Sequence, residues 1–322
     1  MPQTPHSLPV FADVLAAAAR IAPHAHVTPV LRSRALDAAA GCTLHFKAEP
    51  LQRAGAFKFR GACNAVWSLD EAQAAAGVVT HSSGNHGAAL ALAARTRGIP
   101  CHVVVPNGAV RAKRVAIEGY GAIVHDCAPT IAAREAACAD LQRDTGATLV
   151  HPYTDPRVIA GQGTAALELL NTVGALDMVV VPVGGGGLAS GTALAARALA
   201  PGCRVVAAEP AGAADTQLSL QRGRHVTDVV PDTLCDGLRA TVGAPNLALL
   251  QAHDVDVLVV EDADTVAAMR LLMQRTKLLV EPSSAIVLAA ILAQRERFAG
   301  LRVGVILSGG NIDLDALPWG MP

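Results

Sequence analysis

Short runs of β-branched and aliphatic residues recur along this chain with helical stretches between them, and that alternation limits the possible fold more than any other feature. The runs are Val78-Val79-Thr80, Cys101-His102-Val103-Val104-Val105, Ala122-Ile123-Val124-His125, Thr148-Leu149-Val150-His151, Met178-Val179-Val180-Val181, Arg204-Val205-Val206-Ala207, Val255-Asp256-Val257-Leu258-Val259-Val260 and Arg302-Val303-Gly304-Val305-Ile306-Leu307. A strand that is apolar on successive residues has both faces covered, so the pattern predicts parallel sheets between helices in an α/β protein. Thr43-Leu44-His45-Phe46-Lys47 adds a short early strand, and helices are expected over 11–20, 60–69, up to Ala94, from Val110 to Glu118 and from Thr130 to Gln142.

At 322 residues the chain exceeds one core of usual size, which predicts two domains. The break near Gly77 and the corner Tyr153-Thr154-Asp155-Pro156 enclose a unit of β-α repeats. We expect residues 75–152 to form a small domain inserted into a larger one made of 1–74 and 153–322. Hydrophobic residues at 52% and charged ones at 16% argue for a large core and against disorder. A net charge of -1 without basic runs excludes a nucleic-acid or acidic-membrane footprint. No run approaches the ~18 apolar residues of a membrane span, and Met1–His6 lacks the pattern of a signal peptide. Seven cysteines are scattered without a Cys-x-x-Cys pair, so reduced thiols and a cytoplasmic location are expected.

Chemistry gathers at a few loops. In Ala54-Gly55-Ala56-Phe57-Lys58-Phe59-Arg60-Gly61 one lysine stands between two of the chain's five phenylalanines. Poor solvation pushes a lysine toward the neutral amine that attacks aldehydes, whereas a snorkelling surface lysine would be the ordinary alternative. His81-Ser82-Ser83-Gly84-Asn85-His86-Gly87 follows a strand and opens a helix, offering hydroxyls and free N–H groups to a carboxylate beyond what a cap requires. Val183-Gly184-Gly185-Gly186-Gly187-Leu188 also joins strand to helix and suits a phosphate. With Ala189 and Glu209 it fits a dinucleotide fingerprint as well, so a nicotinamide dehydrogenase competes on that motif. Glu209 and Asp215 flank a turn whose carbonyls could join them around a hard cation, or are solvated acids. Ser308-Gly309-Gly310-Asn311 ends the last strand, where open sheets place ligands. Glu281-Pro282-Ser283-Ser284 reads as a helix start for which capping suffices.

In combination, Phe-Lys-x-Arg-Gly-Ala, Ser-Ser-Gly-Asn-His-Gly, Gly-Gly-Gly-Gly-Leu and Ser-Gly-Gly-Asn resemble the pyridoxal-phosphate enzymes of the serine/threonine dehydratase and serine racemase family, from about Thr28 to Asn311. The dehydrogenase reading leaves Lys58 and the Ser-Gly-Asn loop without a role. The resemblance implies fold type II, with two domains that are each an open, mostly parallel sheet flanked by helices. It implies that Lys58 forms an imine with pyridoxal 5'-phosphate and shuttles the α-proton, and that Phe57 covers the ring. Asn85 would meet its 3-hydroxyl, Gly184, Gly185, Gly186 and Gly187 its phosphate, and Ser308 its ring nitrogen. Ser83 corresponds to the second acid/base of racemases. Ser82, Ser83, Asn85 and His86 would surround the substrate carboxylate, with Arg134 where serine racemase has a mobile arginine. Glu209, the Ala213 carbonyl and Asp215 match a Mg²⁺ or Ca²⁺ site. Ala240 departs from the pattern, standing where serine racemase has a serine. The implied activity is dehydration and deamination of a β-hydroxy amino acid, serine or threonine by default and 3-hydroxyaspartate or phenylserine as further options. A serine-type racemase is the alternative, and a homodimer is implied.

Overall fold

The computed structural model describes residues 7–108 and 111–319. Met1–His6 and Val110, where a helix start was expected, lie outside the described residues. Among the described residues ten strands form two sheets: β1 (Val30–Leu31), β2 (Thr43–Ala48), β3 (Val78–Thr80), β4 (Cys101–Pro106), β5 (Ile123–Cys127), β6 (Thr148–Leu149), β7 (Met178–Pro182), β8 (Arg204–Pro210), β9 (Asp256–Val260) and β10 (Arg302–Leu307). The large sheet has the order β1-β2-β10-β7-β8-β9 and the small one β5-β4-β3-β6. Every pairing is parallel except β1 with β2. The chain is therefore a mixed α/β protein with parallel sheets flanked by helices, as the apolar runs required. The small sheet takes its strands only from residues 78–149, which supports our proposal that 75–152 is an inserted domain.

Helices cover both faces of the large sheet. On one side the helix Pro282–Ala293 is apolar and buried all round, which makes it a core helix rather than an amphipathic one. It packs with Phe46, Val180, Leu258 and Val305 from four strands. On the other side Leu169 and Leu170 from the helix Pro156–Val173, and Ala193 and Ala196 from the helix Gly187–Leu199, meet Val179, Val181 and Ala207. The lysine helix runs Lys58–Trp67, two residues earlier at each end than the sequence suggested.

The lysine helix and the two helices on that second face meet backbone to backbone. A Cβ at Gly161 would lie 2.6 Å from the Gly61 Cα, and one at Gly191 would lie 2.5 Å from the Gly163 nitrogen. Small residues here let the lysine helix press against its neighbour, so overpacking outweighs the intrinsic gain of about 1 kcal/mol that alanine offers a helix. Gly161→Ala is expected to lose about 2 kcal/mol of stability on urea titration, whereas a gain would show that the helices can part without cost.

Candidate active site

The carboxyl ends of β2, β10, β7 and β8 share one edge of the large sheet, where open α/β sheets hold ligands. Ser308–Asn311 leaves β10 and Gly184–Gly187 leaves its neighbour β7, so the two loops emerge side by side. A third segment is tied to them. The Phe57 N–H donates to the Ser308 carbonyl at 2.9 Å, the Gly310 N–H donates to the Gly55 carbonyl at 2.9 Å, and Ala56 forms an isolated bridge with Gly309. The chain reaches this point through Ala54 and Gly55, both left-handed with φ of 57° and 70°. Lys58 then opens its helix directly beside the end of β10.

Part of the Lys58 stem stays accessible, but its amine is withdrawn from water. Burial pushes its pKa down to about 8, against a smaller upward pull from the Glu281 carboxylate. Nζ donates to the Pro152 carbonyl at 2.9 Å and stands 5.2 Å from the centre of the Phe57 ring. Such an amine is far more often neutral near pH 7 than an ordinary lysine, which is what attack on an aldehyde needs.

Glu281 is the group that spacing did not reveal. It stands at the N-cap of Pro282–Ala293, but its side chain caps nothing there. Instead the 3%-exposed carboxylate accepts both contacts of the Asn85 amide, at 3.0 and 3.1 Å. Asn311 completes the arrangement by donating to the Asn85 Oδ1 at 3.0 Å and to the Ala54 carbonyl at 2.8 Å. Capping is therefore the wrong account of Glu281. Its partner lies 196 positions away, beyond any local motif.

The glycine loop is pressed from behind. Cβ atoms at Gly184 and Gly185 would lie 2.8 Å from the Leu238 Cα and 2.3 Å from the Tyr153 ring, and Gly186 has φ of 91°. The loop thus presents backbone where other sequences would present side chains. It runs into the helix Gly187–Leu199, whose first hydrogen bond comes from the Ser190 N–H to the Gly186 carbonyl. The N–H groups of Gly187, Leu188 and Ala189 consequently lack intrahelical acceptors, as an anion site requires. The Ser308 hydroxyl is buried at the end of β10, 3.4 Å from the Ser283 carbonyl.

Across the cleft stands the carboxyl edge of the small sheet. Ser82 and Ser83 are half-buried there, and a helix begins at Asn85, with Gly84 as its N-cap. Its first free N–H groups belong to Asn85, His86 and Gly87, since the Ala88 N–H already donates to the Gly84 carbonyl. The His86 Nε2 lies 3.2 Å from the Val150 carbonyl, so that nitrogen carries the proton, and burial holds the ring neutral, its pKa well below the usual histidine range. His86 can then serve a carboxylate through its backbone N–H and not through its ring. Arg134 belongs to the same wall. Its charge acts on His81 and Tyr153, and its buried Nε has no acceptor among the described residues.

Glu209 and Asp215 lie below the phosphate-type loop and are both buried. Each Glu209 oxygen accepts a backbone N–H, from Thr216 and Gln217 at 2.9 Å, and Asp215 accepts one from Val242 at 2.8 Å. Burial pushes Glu209 up to about 7 and raises Asp215 as well. Among the described residues no ion pair neutralises either acid, and no three His, Cys, Asp or Glu residues gather into a metal-type cluster.

A family model described as "Pyridoxal-phosphate dependent enzyme" matches residues 21–309. The chain is 49% identical over 312 residues to the "beta-hydroxyaspartate dehydratase" of Paracoccus denitrificans (strain Pd 1222), covering 97% of this chain and 99% of that protein. It is 48% identical over 303 residues to a serine racemase of Arabidopsis thaliana, covering 92% of each. The crystal structure of serine racemase from Dictyostelium discoideum superposes with a TM-score of 0.91 at 45% identity, over 95% of this chain and 99% of that one.

Labelling of the Lys58 amine in cofactor-free protein should show a pH midpoint near 8, because burial removes the proton early as pH rises. Glu281 opposes that shift, so Glu281→Gln should move the midpoint lower. An unchanged midpoint in the variant would break the link between the two groups.

Proposed function

The chain belongs to the pyridoxal-phosphate-dependent enzymes, in the branch of the serine/threonine dehydratases and serine racemases, and from that membership we propose that its substrate is 3-hydroxyaspartate. The enzyme is an ammonia-lyase that turns a β-hydroxy amino acid into a 2-oxo acid and ammonia. The finer assignment rests on Arg134, whose buried guanidinium nitrogen has no acceptor among the described residues and stands with His81 and Tyr153 in the cleft wall. Arg134 is half-buried, and a buried donor left without an acceptor is costly; the β-carboxylate of 3-hydroxyaspartate would supply the acceptor. Serine and threonine carry nothing equivalent. The dehydratase of Paracoccus denitrificans, whose name gives β-hydroxyaspartate, covers nearly the whole chain.

The residues fit pyridoxal phosphate on three counts: a buried amine of lowered pKa, a glycine loop opening a helix with free N–H groups, and a buried hydroxyl at the end of β10. Lys58 would hold the cofactor aldehyde, Gly184, Gly185, Gly186 and Gly187 its phosphate, Asn85 its 3-hydroxyl and Ser308 its ring nitrogen, with Phe57 beside it. When bound, the cofactor supplies the sink for electrons left at the substrate Cα. The Lys58 Nζ, uncharged often enough at neutral pH, takes the α-proton. Ser82 and Ser83 hydroxyls with the N–H groups of Asn85 and His86 hold the α-carboxylate at a helix start. The Cβ–O bond then breaks and the hydroxyl, given the proton that Lys58 took, leaves as water; a second water adds to release ammonia and the 2-oxo acid. Ser308 offers the ring nitrogen a hydroxyl and not a carboxylate, which gives no support to a full proton there and favours elimination over transamination.

Ser83 keeps a second reading alive, since a hydroxyl opposite Lys58 could return a proton to the other face of Cα and racemise the substrate. Solvent deuterium at Cα of inverted substrate would favour that reading. Glu209, the Ala213 carbonyl and Asp215 we assign to Mg²⁺ or Ca²⁺, because two buried carboxylates call for a cation. A homodimer, checked by light scattering, and a cytoplasmic location belong to the same proposal. Seven free cysteines support a reducing compartment, and among the described residues no helix is long and apolar enough to cross a membrane.

A keto-acid release screen over serine, threonine, phenylserine and 3-hydroxyaspartate should show preference for the last. Arg134→Gln should lower its kcat/KM about 10–100-fold while changing serine turnover little, and equal losses on both would reject the assignment. Millimolar Mg²⁺ or Ca²⁺ should raise Tm by a few degrees in the parent enzyme but not in Asp215→Asn.

A further inference from the structure

Two histidines in the cleft wall have no role in the chemistry above. The parallel pairing of β3 with β6 sets Val78 beside Thr148 and Val79 beside Leu149. Carried two residues past the Val79–Leu149 pair, the same register brings His81 beside His151, and their rings meet edge to face at 5.2 Å. Tyr153 also packs edge-on against His151 at 4.6 Å, with its own ring against Gly185 of the glycine loop. The next residue after His151 is Pro152, whose carbonyl holds the Lys58 amine. The pair therefore stands between the catalytic amine, the glycine loop and Arg134.

The hydrogen bonds of His151 fix its tautomer. Nδ1 faces the backbone N–H groups of Tyr153 at 3.4 Å and Thr154 at 3.2 Å, so it acts as an acceptor and carries no proton. The neutral ring must then carry its hydrogen on Nε2, on the other side of the imidazole, and that donor has no partner among the described residues. Burial, with the neighbouring His81 second, holds the ring's pKa down to about 4, so it stays uncharged at neutral pH. His81 is likewise lowered, chiefly by burial. The charges that bear on this pair come from Lys58, Arg134, Glu135 and Asp155. A neutral donor serves a different purpose from a cation: it aligns an anion without holding it through the release of product.

We propose that His151, packed edge-on by His81, is a specificity-determining residue that donates its Nε2–H to the distal carboxylate of the substrate, alongside Arg134. This rests on the reading of 3-hydroxyaspartate as substrate. The test separates the two nitrogens. In His151→Asn the amide oxygen can take over the acceptor position of Nδ1 and keep the turn at Tyr153-Thr154, while the Nε2 donor is lost. His151→Gln places an amide N–H near the Nε2 position instead. With the holoenzyme, His151→Asn should raise the KM for 3-hydroxyaspartate roughly tenfold, leave its kcat within about threefold, and leave serine turnover alone. Inhibition by succinate, which has the same carboxylate spacing and no amine, should weaken by a similar factor, and His151→Gln should recover part of both. Equal losses on serine and 3-hydroxyaspartate, or unchanged succinate inhibition in His151→Asn, would overturn the proposal. If the parent enzyme failed to turn over 3-hydroxyaspartate but still bound succinate through His151, the substrate assignment would fall and the donor would stand.

Discussion

The Lys58 amine is placed by an ion cluster that it does not touch. Two residues beyond Lys58, the Arg60 guanidinium is completely buried and donates to both oxygens of Glu49, at 2.7 and 2.8 Å, and to both of Glu168, at 2.7 and 2.8 Å. Lys47 joins from β2, donating to Glu168 at 2.5 Å and to the Thr28 carbonyl at 2.6 Å, while the Thr28 hydroxyl donates to Glu49 at 2.6 Å. Two cations and two anions balance, so the cluster survives away from water. An unmatched member would cost about 3–5 kcal/mol. Each charge sits on a different element: β2, the turn after it, the lysine helix and the helix Pro156–Val173. Their mutual geometry is therefore fixed directionally, in a way apolar packing alone would not fix it.

Glycine packing supplies the second coordinate. The cluster sets the direction of the lysine helix, and the contact of Gly61 with Gly161 sets its depth against the neighbouring helix. Both constraints act within three residues of Lys58. The bridge between Ala56 and Gly309 then sets the distance from the end of β10. The amine is thus held by groups that are themselves rigid and already satisfied, as a preorganised site demands.

What could be read in the sequence was whatever is written locally. Runs such as Met178–Val181 announced buried parallel strands because both of their faces had to be covered, and the strand over Arg302–Leu307 fell where expected. Lys58, the glycine loop and the serine-asparagine loop were visible because each packs its chemistry into a few adjacent residues. Glu281 was not, since Pro282 beside it offered a sufficient local explanation and its partner Asn85 opens a helix that follows β3 of the other sheet. His151 was hidden for a related reason: it closed a strand-like run, and only the register of β6 with β3 brings it to His81. Element ends also shifted by a few residues, as with the helix ending at Arg97 instead of Ala94, because Gly98 terminates it in a left-handed turn.

The free Lys58 amine donates to a peptide carbonyl, that of Pro152. A carboxylate in that place would bind the ammonium tightly and would be stranded in a dry interior each time the amine lost its proton or swung aside. An amide dipole makes no such demand. It accepts from the nitrogen whether that nitrogen is charged or neutral, more strongly from the ammonium, and when the side chain swings aside it leaves only an uncharged acceptor behind.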